Sequence, residues 1–138
     1  MTVAGVSHVT LVVSDLPRAL AFYAGVLGAR PRARWARGAY LELGALWLCL
    51  ELGEPAPARD DSHLALAVDA PTLDALAERA RASGAPIWKE NRSEGASLYL
   101  LDPDGHKLEL HVGDLASRLA ACRARPYDGM VFDDDPVS

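Results

Sequence analysis

Ser7-His8-Val9-Thr10-Leu11-Val12-Val13 and Ser62-His63-Leu64-Ala65-Leu66-Ala67-Val68 are the two stretches whose reading decides the fold. Their His residues stand 55 positions apart. Each stretch is followed by residues at helical spacing, then a Gly, then strand-like text. A unit repeated at a fixed period marks a chain built by duplication. A His at the same place in both copies puts two imidazoles at related points of a symmetric structure. Such a pair suits a metal ion better than a core.

Outward from the first stretch, Ser14-Asp15-Leu16-Pro17 reads as a helix start, with Ser14 or Asp15 as cap and Pro17 in the first turn. Leu20, Phe22, Tyr23 and Leu27 follow at helical spacing, and Gly28 ends the helix. Residues 40–43 and 46–52 read as strands around Gly44. The polar, Pro-rich run 54–61 reads as a linker. The second half repeats the plan: a strand over 62–69, a helix after Pro71 carrying Leu73, Leu76 and Ala80, then Gly84 and a strand near Ile87-Trp88. Strands 98–101 and 107–112 flank the turn Asp102-Pro103-Asp104-Gly105. The expected fold is α+β, two βαβββ modules in one domain over 1–138. Module one covers about 1–53, the linker about 54–61 and module two about 62–113; residues 114–138 form a C-terminal helix and a polar, loosely ordered tail.

Side chains alternate along a strand. His8, Thr10 and Val12 share one face; Glu109 and His111 share another. Aligning Leu48-Cys49-Leu50 with Leu108-Glu109-Leu110 makes Cys49 the counterpart of Glu109. If His8, His63 and Glu109 meet, they form a two-His, one-carboxylate set with coordination positions left open for a substrate. Residue type leaves Zn, Fe and Mn all eligible. A single His in a strand is by default a hydrogen-bonded structural residue; the repeat and a facing Glu turn the balance toward ligation. His111 reads as a neighbour of the ligands, His106 as a surface residue beside its turn, and Trp35, Trp47 and Trp88 as core aromatics.

Composition bounds the function. Half of the 138 residues are apolar, enough for a core, and the net charge of −5 argues against nucleic acid as the main partner. Cys49 and Cys122 form no disulfide framework and read as reduced thiols. There is no signal-like N-terminus and no run long enough to span a bilayer, so a cytoplasmic protein with no membrane partner is expected.

Several segments resemble a known family. Paired βαβββ modules with inward ligands resemble the vicinal oxygen chelate, or glyoxalase-like, superfamily. His8-Val9-Thr10-Leu11, the hairpin from Tyr40 to Leu50, Trp88 through the Asn91-Arg92-Ser93-Glu94-Gly95 loop, 101–109 and His111 through Arg118 are similar to the FosA-type fosfomycin-resistance proteins. The likeness runs from about the N-terminus to Phe132. It implies an enzyme dependent on Mn²⁺ and activated by K⁺ that adds glutathione to the epoxide of fosfomycin, as a homodimer whose sites draw on both chains. On that likeness His8, His63 and Glu109 are the metal ligands and Thr10 the hydroxyl beside the metal. Lys89, Ser93, Tyr99 and Arg118 hold the phosphonate. Tyr40, Trp47 and Cys49 line the substrate side, and Asn91, Ser93, Glu94, Gly95 and Ser97 wrap the K⁺. A phosphonate dianion calls for Lys and Arg with orienting hydroxyls. An epoxide oxygen gaining charge calls for a Lewis acid.

Arg37, Glu51 and the 54–61 linker depart from the family text on the thiol side. Thr10 differs from the His-Leu-Cys of bacillithiol-using relatives, and the short Gly38–Leu50 hairpin lacks the Glu-bearing insertion of hydrolase relatives. The competing readings are another superfamily activity (lyase, epoxide hydrolase or dioxygenase), which has no use for the Ser93–Ser97 loop, and a non-catalytic drug-binding protein, which has no use for the His-His-Glu set.

Overall fold

The duplication is carried by two four-stranded sheets with the same order and the same register. The computed structural model describes residues 1–133. Strand β1 (His8–Val13) leads into helix α1 (Leu16–Leu20), whose winding widens to a π-helix over Ala21–Val26, and then to β2 (Arg30–Trp35), β3 (Gly38–Leu43) and β4 (Leu46–Leu52). Strand β5 (Leu64–Ala67), helix α2 (Ala70–Ser83), β6 (Ile87–Lys89), β7 (Ser97–Leu101) and β8 (Lys107–His111) repeat the plan, and α3 (Leu115–Ala124) follows. The sheets run β1-β4-β3-β2 and β5-β8-β7-β6. In each, the first and last strands of the module pair in parallel and the rest antiparallel.

Local chemistry sets these elements. The Asp15 carboxylate accepts the Arg18 N–H at 3.0 Å, and Pro17 sits in the first turn of α1. Asp69 caps α2 by accepting the Thr72 N–H at 2.8 Å, and Gly84, at φ 77°, ends it in the left-handed conformation that a side chain disfavours. Asp114 and Ser117 form a reciprocal capping box on α3. Among the described residues no helix is long and apolar enough to cross a membrane.

One core serves both modules. Leu41, Leu48 and Leu50 from the first sheet join Leu100, Leu108 and Leu110 from the second, with Phe22, Tyr23, Leu73, Leu76 and Ala80 from the helices. Each fully buried Leu stabilises the fold by roughly 1.5–3 kcal/mol relative to exposure. The inner face of β1, with Val13 buried and Val9 and Leu11 half-buried, packs against this core, so His8 and Thr10 point outward.

The Asp102–His106 turn is a latch between modules. The Tyr23 hydroxyl donates to Asp102 Oδ2 at 2.7 Å, with both residues buried. His106 Nε2–H donates to the Val12 carbonyl at 2.7 Å, and Ser14 and Arg18 both reach Asp104. His106, expected on the surface, is therefore half-buried and tied to the other module. Trp35 and Trp47, expected in the core, are 48% and 42% exposed on the outer face of the first sheet, while Trp88 is half-buried and donates its indole N–H to the Leu108 carbonyl. Strand β2 has no apolar alternation to announce it. Its Arg30, Arg32 and Arg34 occupy an exposed edge, where charge discourages further pairing. Residues 53–63 between β4 and β5 contain no helix or strand. The acidic end of the tail, residues 134–138, lies outside the described residues.

Candidate active site

Strand β8 places Glu109 opposite Ala65 of β5 and Tyr99 of β7. Only 6% of Glu109 is exposed, and its carboxylate is held from two sides. The Ser97 hydroxyl donates to Oε2 at 2.6 Å, and His63 Nε2 lies 2.9 Å from Oε1. Burial alone pushes this carboxyl up. The hydrogen bonds from Ser97 and His63 and the neighbouring imidazoles outweigh burial and hold it below the usual carboxylate value. Tyr99 moves the other way: burial and the Glu109 charge push its hydroxyl up.

His63 reveals its tautomer. Its Nδ1 lies 2.6 Å from the Asp61 carbonyl, which only accepts, so Nδ1 carries the proton. Nε2 then faces Glu109 Oε1 across 2.9 Å, a contact between two acceptors that a proton bridges and whose place a metal ion can take. An imidazole fixed through Nδ1–H and aimed at a carboxylate through Nε2 is the disposition of a metal-ligating His. The donor set thus fits a divalent ion. Trp88 and Tyr99 wall the pair, with ring centroids 5.4 and 5.9 Å from that of His63. The Lys89 ammonium lies 5.4 Å over the Tyr99 ring and 3.6 Å from Asp61.

The other predicted ligand stands elsewhere. His8 lies on the outer face of the first sheet, stacked at 4.3 Å on Trp47, with Nδ1 3.0 Å from the Ser7 hydroxyl. His8, Thr10, Tyr40, Trp47 and Cys49, joined by Trp35, Arg37 and Glu51, line an open cavity of about 600 Å³. Cys49 occupies the place that the alignment assigned: it faces Thr10 and Tyr40 across the strands as Glu109 faces Ala65 and Tyr99. Among the described residues no three His, Cys, Asp or Glu side chains gather closely enough to hold a metal. One chain therefore brings His63 and Glu109 together and leaves His8 apart, because both sheets turn their inner faces to the shared core.

The polar loop before β7 is braced internally. Asn91 Nδ2 donates to the Gly95 carbonyl at 2.7 Å, and the Ser93 N–H to Asn91 Oδ1 at 3.1 Å. Arg118 of α3 donates to the Glu94 carboxylate at 3.2 Å and to its carbonyl at 3.1 Å. Ser93, Glu94 and Arg118 thus meet, with Arg92, Arg125 and Tyr127, around a cavity of about 380 Å³. Lys89 is turned to Asp61, and Ser97 to Glu109. His111, expected as a neighbour of the ligands on the Glu109 face, is one: its Nδ1 lies 2.6 Å from Ser97 Oγ and 3.3 Å from Glu109 Oε2. The Asp61 carbonyl was missed, and no side-chain signal points to it.

Residues 5–110 match the model of the Glyoxalase/Bleomycin resistance protein/Dioxygenase superfamily. The chain is 52% identical over 134 residues to Glutathione transferase FosA of Serratia marcescens, covering 94% of this chain and 95% of that one. The chain belongs to this superfamily, in its FosA-type branch. It is also 35% identical to Metallothiol transferase FosB of Shouchella clausii, over 95% of each chain. The fold matches the crystal structure of fosfomycin resistance protein FosX from Listeria monocytogenes, complexed with Mn(II) and sulfate, with a TM-score of 0.77 at 31% identity, covering 87% of this chain and 98% of that one. The superfamily's glyoxalase-like fold is the one seen here: paired βαβββ modules, each with its own four-stranded sheet.

Proposed function

We propose that this chain is a metal-dependent thiol transferase that opens the epoxide of fosfomycin by adding glutathione. It works as a homodimer in the cytoplasm, where that thiol stays reduced. The observation that carries this reading is the division of the site. A preorganised His63–Glu109 pair stands on one sheet, and His8 with an aromatic cavity stands on the other. A second copy facing the first supplies the missing half on each side. His8 of one copy and His63 with Glu109 of the other complete a three-residue ligand set for Mn²⁺. When bound, the ion supplies Lewis acidity to the epoxide oxygen.

The chain's own residues do the rest. Lys89, Ser93, Tyr99 and Arg118 bind the phosphonate, the two cations giving charge and the hydroxyls orientation. Glu94 holds the Arg118 guanidinium in its present place. Asn91, Ser93, Glu94, Gly95 and Ser97 form the loop that takes K⁺, whose charge offsets the dianion. Tyr40, Trp47 and Cys49 wall the thiol's approach and exclude water. As the C–S bond forms, the ring C–O bond breaks. The thiol proton goes to solvent, and the Thr10 hydroxyl donates to the developing alkoxide, which then takes up a proton. Hydrolysis is disfavoured by the tight β3–β4 connection, where Gly44 and Ala45 alone join the strands and carry no carboxylate to activate water.

The test is ³¹P NMR of fosfomycin incubated with Mn²⁺-loaded protein and glutathione, cysteine or bacillithiol in turn, in K⁺ and in Na⁺. The expected result is a thioether adduct with glutathione, formed faster in K⁺. A diol without adduct makes the enzyme a hydrolase, and an unchanged phosphonate resonance refutes catalysis on this substrate.

A further inference from the structure

We propose that His111 is a positioning residue for Glu109, acting through the hydroxyl of Ser97. The inference rests on the metal reading above and adds a residue that the reading leaves idle. Ser97 and His111 are direct partners across β7 and β8. The Ser97 hydroxyl lies 2.6 Å from Glu109 Oε2 and 2.6 Å from His111 Nδ1. A carboxylate only accepts, so the single hydroxyl proton goes to Glu109. The contact with His111 then runs the other way, from Nδ1–H to Ser97 Oγ; Nδ1 also stands 3.3 Å from Glu109 Oε2, but its hydrogen bond is the shorter one, to the hydroxyl. The result is a directed chain, His111 to Ser97 to Glu109, that fixes Oε2 and turns Oε1 toward His63.

The ring is held where it can do this. A Cβ added to Gly95 would stand 2.9 Å from its Cε1, and one added to Gly113 would stand 3.2 Å from its Nε2 and 3.5 Å from Glu94 Oε1. Two glycines thus make room for an imidazole wedged between the 91–97 loop and the segment after β8. The neighbouring main chain is tied as well: the Val112 N–H donates to the Ala96 carbonyl at 2.9 Å, and the Val68 N–H to the His111 carbonyl at 3.0 Å. His111 therefore couples the shape of the loop to the aim of the carboxylate. Remove its N–H, and only the bond to Glu109 is left to orient the Ser97 hydroxyl.

Mn²⁺ titration of the full-length protein, read by the electron paramagnetic resonance of the free ion, tests this without turnover. His111→Phe keeps a ring but loses the donor and is expected to weaken Mn²⁺ binding about 10–100-fold, the range for outer partners of metal ligands. His111→Asn, whose amide nitrogen falls where Nδ1 stood, is expected to restore wild-type binding. Ser97→Ala should match His111→Phe, and the double variant should be no weaker than Ser97→Ala alone, since both cut one path. If His111→Phe fails to fold, Ser97→Ala against Ser97→Thr carries the comparison, because Thr keeps the relaying hydroxyl. Wild-type affinity in His111→Phe, equal loss in His111→Asn, or additive losses overturn the proposal while leaving the metal site standing. A wild-type protein that takes up no Mn²⁺ overturns both.

Discussion

On the first sheet Cys49 stands between Thr10 and Tyr40; on the second Glu109 stands between Ala65 and Tyr99. The registers match, and a Tyr faces the central position in both. The chemistry differs. Glu109 is surrounded by donors: Ser97, His63 and His111, whose Nδ1 lies 2.6 Å from the Ser97 hydroxyl and 3.3 Å from Glu109 Oε2. Cys49 is a buried thiol in the cavity that His8, Trp47, Tyr40 and Trp35 line, their rings meeting tilted or edge to face. One copy of the frame kept charge and the network that a buried charge requires. The other holds an uncharged thiol among aromatic rings. A duplicated frame fixes where side chains can meet, and the identity of one central residue decides whether a hydrogen-bonded carboxylate or an uncharged thiol stands there.

Exchanging that residue sets the strongest test of the contrast. Glu109→Ala is expected to weaken Mn²⁺ binding more than about 100-fold, beyond the loss typical of outer partners, and to abolish turnover. Cys49→Ala should leave the Mn²⁺ titration unchanged. Equal losses from the two would mean that the sheets contribute alike and the comparison fails.

Mixing sharpens the division between copies. His8→Ala and His63→Ala proteins, each inactive alone, are expected to regain about a quarter of wild-type activity when co-refolded in equal amounts. Half the dimers are then mixed, and each mixed dimer holds one intact site. Recovery that fails in a demonstrated mixed dimer would place the complete site within one chain.

A third test separates the latch from the site. Tyr23→Phe removes a donor from buried Asp102 and is expected to cost about 1–3 kcal/mol in urea unfolding. Burial and Asp102 push the Tyr23 hydroxyl far up. A raised folded pKa means that this stabilisation is complete below the unfolded value near 10 and drains as pH rises above it. Wild type and Tyr23→Phe should therefore converge in stability at alkaline pH. Mn²⁺ affinity should not move, because the latch lies on the far side of the sheets from Glu109.

The smallest effect is expected at Asp69, which caps α2. The Thr72 hydroxyl and then its N–H hold this carboxyl below its usual value. A depressed folded pKa makes the contribution complete above the unfolded value near 3.9 and lost as pH falls below it. The melting temperatures of wild type and Asp69→Ala should approach each other over that interval. Asp69→Asn, a neutral acceptor, should show no such pH dependence.

The duplicated Ser-His strands, the capped start of α1, the glycine end of α2 and the turn at Asp102–Gly105 were legible in the chain because each is a local matter of alternation, capping or turn chemistry. The register of Cys49 against Glu109 was legible too, since strand period 2 and the repeat leave it one placement. Strand β2 was not, because an edge strand buries neither face and needs no apolar pattern. Trp35 and Trp47 misled for a related reason: apolar residues go to interfaces as well as cores, and sequence does not say which. His106 and Asp102 read as turn residues, and only packing showed them tying one module to the other. The sequence by itself determined two modules and the pseudo-equivalent places of His8 and His63 and of Cys49 and Glu109. The tertiary structure decided that His63 and Glu109 meet within the chain while His8 stands apart. Those distances depend on which face each sheet gives to the shared core, and that choice is settled by the packing of Tyr23, Leu76 and Leu110 across the whole molecule rather than by any local stretch.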